Sequence, residues 1–100
     1  MNEYERQRRI AESTKIMYPP GTRIELISMS DPYAPVPSGT RGTVKIVDDM
    51  ATIHTNWDNG RSLGVVPSED SFRKLTQEEI EAENQSESNI DEDNEITIGM

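Results

Sequence analysis

The stretch that most constrains this chain is residues 39–60, GTRGTVKIVDDMATIHTNWDNG. Two short runs of alternating apolar and polar residues flank Asp48-Asp49-Met50-Ala51, and Asp58-Asn59-Gly60 closes the second run. Asn-Gly tolerates the positive φ that a tight hairpin demands, so the stretch reads as consecutive β-hairpins. Val44 and Ile46 share a face of the first run. Ile53, Thr55 and Trp57 share a face of the second, with Thr52, His54 and Asn56 opposite.

The flanking sequence extends this pattern. Upstream, residues 22–28 alternate as a half-buried strand with Ile24 and Leu26 inward. Downstream, residues 62–66 form a fourth strand with Leu63 and Val65 inward, and Gly64 leaves room for a close backbone approach. Residues 67–71 turn the chain, and residues 72–75 return as a short closing strand. The expected inward set is Ile24, Leu26, Val44, Ile46, Ile53, Trp57, Leu63, Val65 and Phe72. Residues 29–40, MSDPYAPVPSGT, interrupt the strands with Pro32, Pro35 and Pro37, none of which donates to a ladder. A loop of this length in a compact domain tends to be functional, and proline stiffens it for binding. Asp31, Tyr33, Pro35 and Pro37 are its candidate contact residues; packing of Tyr33 over the end of the sheet is the plainer alternative.

Both ends read as appendages. Residues 3–17 lack Gly and Pro and suit a helix, with Ile10, Thr14 and Met17 as a thin apolar stripe. Tyr18-Pro19-Pro20-Gly21 ends it. Thr76-Gln77-Glu78-Glu79 is a capping-box pattern that starts a second short helix, to about Asn84. Residues 85–94 are acidic and polar, which reads as disorder, and the apolar ITIGM at 96–100 reads as frayed.

The charge is uneven. Hydrophobic residues make up 32% of the 100-residue chain, and the net charge is −9. From residue 76 onward there are nine acidic residues and no basic ones, whereas residues 1–75 hold ten of each. The protein therefore reads as one neutral domain with an acidic tail. It has no cysteine, which removes disulfides and thiolate chemistry. The polar start and the lack of a long apolar run imply a cytoplasmic protein without a membrane contact.

Five short antiparallel strands with this loop pattern predict a mainly β fold, an SH3-like small five-stranded antiparallel barrel. The runs PPGTRIELISMSDPYAPVPSGTRGTV, VDD, WDNGRSL and DSFRKL, within about residues 18–75, closely resemble an uncharacterised family of small domains of bacterial phages and mobile elements. The resemblance implies the barrel and a mobile-element setting, and it carries over no active residues.

Catalytic constellations are scarce. His54 is the sole histidine and points away from the expected core, the ordinary place for a solvent-facing strand histidine. No G-x-S-x-G elbow, P-loop, dinucleotide fingerprint or calcium-loop spacing occurs. The sequence thus points to a non-enzymatic module without cofactor or metal. Its leading function is docking a protein partner, such as a basic host nuclease or defence protein, through the 29–40 loop and the acidic tail. Nucleic-acid binding is disfavoured by the charge balance. It would require Arg6, Arg8, Arg9, Arg23, Arg41, Lys45 and Arg61 to form one basic patch that the tail masks in cis. Sequestering a small anionic ligand through the arginines is the third reading. Oligomeric state is open.

Overall fold

The computed structural model describes residues 2–31 and 35–85. Helix α1 (Glu3–Met17) precedes strands β1 (Arg23–Ser28), β2 (Arg41–Val47), β3 (Ile53–Trp57), β4 (Ser62–Val65) and β5 (Ser71–Lys74). A second helix, α2, covers residues 77–85. All strand pairs are antiparallel and form a single open sheet in the order β4-β3-β2-β1-β5. The mainly β architecture, the N-terminal helix and all five strands thus follow the sequence reading. The expected disorder and fraying fall on residues beyond 85, outside the described residues, except that Gln85 itself is helical.

Alternation in the strands builds the core. Ile24, Leu26, Val44, Ile53, Trp57 and Val65 are buried together, with Tyr18, Met29, Leu63 and Phe72 packed at the margins. Removing each large side chain from water contributes about 2 kcal/mol. The indole N–H of Trp57 donates to the Leu63 carbonyl at 3.0 Å, so the ring is buried without orphaning its polar atom. Gly42 lies beneath it: a Cβ there would meet Thr55 Cγ2 and Trp57 Cε3 at 2.8 Å. The indole packs against bare backbone at that point.

Two core positions depart from simple alternation. Ile46, expected inward, is 55% exposed, whereas Val47 is buried. The register of β2 against β3 shifts between Val44 and Ile46, and the extra residue reverses the parity of the remainder of the strand. Val36, in the proline-rich loop, is buried in the core at 2% exposure. The base of that loop is tied to β1: Gly39 N donates to the Leu26 carbonyl at 2.7 Å, Leu26 N donates to Thr40 at 2.9 Å, and Ser38 Oγ donates to the Ile27 carbonyl.

The turns use their own side chains. Asp48 Oδ1 accepts from the N–H groups of Met50 and Thr52 at 2.9 and 3.0 Å, closing the β2–β3 turn in which Ala51 takes φ 63°. Asn59 Oδ1 accepts from Arg61 N, and Gly60 takes φ 92°. Asp70 joins the β4–β5 turn to the loop, accepting from Val66 N at 2.9 Å and Ser30 N at 2.8 Å.

Helix α1 is capped by Asn2, whose Oδ1 accepts from Glu5 N at 2.8 Å. It seats on Ala11 and Thr14 rather than on the full expected stripe; Ile10 is 40% and Met17 52% exposed. Small residues at the contact let the helix lie close, so the larger side chains flank the seat. One ion pair, Lys15 Nζ to Asp49 Oδ1 at 2.6 Å, pins its last turn to the β2–β3 turn.

Candidate functional site

Among the described residues, the densest array of charge lies on the face of β5, β1 and β2 that points away from the core. Parity sends Arg23 and Glu25 of β1 outward while Ile24 and Leu26 go in. Pairing sets Arg73 of β5 and Arg41 of β2 opposite Glu25, one on each side. Arg23 lies two residues along on the same face. Three guanidinia therefore stand on one face, two of them beside the Glu25 carboxylate.

Helix α2 closes over them. Its start is the expected capping box: Glu79 N donates to Thr76 Oγ1 at 3.1 Å, and Thr76 N donates to Glu79 Oε1 at 2.8 Å. This fixes Glu79, and Glu83 follows one turn later on the same side. Arg73 forks onto both oxygens of Glu79 at 2.8 and 2.7 Å. Arg41 donates to Glu25 at 3.1 Å, Glu83 at 3.1 Å and Glu79 at 3.3 Å. Arg23 forks onto Asp58 at 2.8 and 2.7 Å and onto Glu83 at 3.2 and 2.7 Å, and also donates to Thr43 Oγ1 at 3.1 Å. Planar guanidinium and carboxylate match in this two-bond geometry.

The electrostatics follow. Hydrogen bonds from Arg73, and then from Thr76, hold the Glu79 carboxyl far below the usual carboxylate range. Arg23 lowers both Glu83 and Asp58 in the same way. Arg23 and Arg73 are pushed further up by their carboxylates, Asp58 and Glu83 for the former and Glu79 for the latter. With its side chain only 19% exposed, Arg23 is the most enclosed of the three.

The expected basic patch is therefore divided. Arg23 and Arg41 belong to the α2 seat, together with Arg73, which the sequence reading did not include. Arg6 and Arg8 lie along α1 and pair with Glu3 at 3.9 Å and Glu12 at 3.1 Å, and Arg9 is exposed on the same helix. Arg61 donates to the Pro35 carbonyl at 3.4 Å, joining β4's approach to the loop. Lys45 borders a shallow cavity of about 110 Å³ with His54, Asn56 and Ser62. The signal that would have found Arg73 and its partners was present: Glu79 and Glu83 at i and i+4, and outward positions on strands that pair.

Of the loop candidates, Asp31 is half-buried and Pro35 and Pro37 are exposed on either side of buried Val36. Tyr33 lies outside the described residues.

A second surface runs between α1 and the β2–β3 turn. A groove of about 440 Å³ is lined by Tyr4, Arg8, Ala11, Glu12, Lys15 and Met50 among others. Tyr4 and Met50 are each about three-quarters exposed, at 73% and 76%. Nearby, His54 Nε2 lies 2.8 Å from Asp48 Oδ2; a carboxylate accepts only, so Nε2 carries the proton. That bond is the largest cause holding Asp48 below its ordinary value. His54 is a turn fastener as well as a surface histidine. Among the described residues no three His, Cys, Asp or Glu side chains gather as a metal-binding group, and no helix is long and apolar enough to cross a membrane.

No curated protein and no solved structure matches the chain. The family described as a domain of unknown function (DUF4314) matches residues 7–75. The match begins inside α1, so most of the helix belongs to the family's domain, although the sequence motifs of the resemblance left it outside. It ends at Leu75, immediately before the α2 capping box. With more than two-thirds of its length matched, the chain belongs to the DUF4314 family.

Proposed function

We propose that this chain is a non-enzymatic binding module that docks a basic protein partner through its acidic C-terminal segment and the proline-stiffened loop at 29–40. The observation that carries this reading is the internal use of its strongest cations. Arg23, Arg41 and Arg73 are already matched to Glu25, Asp58, Glu79 and Glu83. Those pairs use two of the nine acidic residues beyond residue 75, so most of the segment's negative charge is left to steer a positive partner. The loop, anchored by Val36, Ser38 and Gly39, presents Pro35 and Pro37 at low entropic cost.

The finer assignments belong to the same proposal. The strand order and the shifted β2 register suit closure into an SH3-like barrel. A phage or mobile-element setting would make a host nuclease or defence protein in the cytoplasm the partner. Nucleic-acid binding and capture of a small anion would draw on the grouped guanidinia of Arg23, Arg41 and Arg73, which carboxylates engage here, and so stand second.

The test is capture from a bacterial extract with the immobilised full chain, eluted by a salt gradient, beside a chain ending at residue 85. A basic protein that the full chain retains and moderate salt releases, and that the shortened chain loses, supports the proposal. Recovery of nothing salt-sensitive overturns it.

A further inference from the structure

The seat of α2 has the makings of an interaction surface with a resident occupant. It is polar: Glu79 and Glu83 meet three arginines, while the core cluster draws no residue from beyond Phe72. Of the α2 segment's apolar residues, Leu75 is buried at its entry and Ile80 is half-buried. The sheet thus keeps its core whether or not α2 is seated. Charge, which salt and competitors can exchange, supplies most of the hold.

We propose that the outward face of β5, β1 and β2 is a docking surface for a carboxylate-bearing helix of a protein partner, with α2 as its built-in competitor. Two carboxylates four residues apart on one side of a helix reach Arg73, Arg41 and Arg23 together, as Glu79 and Glu83 do. Any helix with acidic side chains at that spacing presents the same pattern. A nucleic-acid backbone fits less well. With α2 lifted away, Glu25 and Asp58 remain in the face beside the three arginines, and a continuous row of phosphates would pass close to both. An acidic helix sets its charges only where the guanidinia stand. The short link from β5 gives α2 an effective concentration in the millimolar range, so the surface stays closed to weak ligands and opens to well-matched ones. This surface is separate from the acidic segment's own docking, and its failure would leave that reading untouched.

The test uses the full chain and its E79Q/E83Q variant, in which glutamine keeps the helix and its cap but weakens the hold on the arginines. The probe is a synthetic peptide of residues 76–85, TQEEIEAENQ, titrated while the Arg23, Arg41 and Arg73 Nε–H resonances are followed. The peptide is expected to bind the variant at least tenfold more tightly than the parent. A peptide with glutamine at the positions of Glu79 and Glu83 is expected not to bind. The Trp57 indole N–H resonance reports folding; where the double variant loses it, E83Q, which leaves the Thr76–Glu79 cap whole, is read in the same way. Absence of peptide binding to the folded, unlatched chain overturns the proposal. So does preferential binding of a single-stranded oligonucleotide.

Discussion

The two helices attached to this sheet are held by opposite means. Helix α1 is fifteen residues long and carries several large apolar side chains, yet it buries only Ala11 and Thr14, and Ile16 is 79% exposed. The described part of helix α2 is shorter and more acidic, yet two of its carboxylates share three guanidinia. Length and apolar content say little about how an appended helix is fixed. What decides is whether the sheet beneath offers matching groups. Under α1 it offers one aspartate; under α2 it offers an array of arginines preset by strand pairing.

The comparison assumes a sheet that folds around Trp57 independently of either helix. Trp57→Ala is expected to cost about 3–5 kcal/mol and to abolish the cooperative melt. A variant that melts like the parent would show that the helices, rather than the indole, organise the domain. Next in size is Arg23→Ala, which removes forked bonds to Asp58 and Glu83 and should destabilise by about 1–3 kcal/mol in chemical denaturation. Amide exchange should rise over residues 77–85 and stay unchanged in α1. A uniform rise would erase the distinction between the helices.

Acid should separate them further. Glu79, Glu83 and Asp58 have folded values depressed below their unfolded ones. Their contribution is therefore complete above the ordinary carboxylate value, about 4.3 for glutamate, and is lost as pH falls through the depressed folded values. Residues 77–85 should keep their exchange protection at pH 5 and above and lose it progressively below pH 4. Added salt at neutral pH should weaken α2 in the same direction. The smallest effect belongs to Lys15→Ala. The Asp49 partner is 95% exposed, and loss of such a pair should change stability by less than about 1 kcal/mol, read as a minor shift in the melting midpoint. A larger loss would show α1 to be as dependent on charge as α2.

Much of this architecture was legible in the sequence because local signals decide it. Asp58-Asn59-Gly60 fixes a turn by backbone conformation, Thr76 and Glu79 cap each other, and Ile53, Thr55 and Trp57 alternate without interruption. What escaped depends on contacts between distant segments. The exposure of Ile46 follows from a register shift against β3, which alternation within β2 does not reveal. Val36 read only as part of the proline-interrupted loop because its burial depends on β1 holding the loop's base. Arg23 and Arg41 were recognisable as candidates, but grouped with the α1 arginines. Only the pairing of β1 with β2 and β5 places them beside Arg73 and beneath Glu79 and Glu83.

The shifted register of β2 bears on how this domain tolerates length changes. Deleting Lys45, the extra residue without a partner in β3, would restore unbroken alternation while leaving Ile46 outward opposite His54 and Val47 inward opposite Ile53. A codon lost at the bulge should therefore leave the core in place, whereas one lost at Thr43 would turn Val44 to the other face.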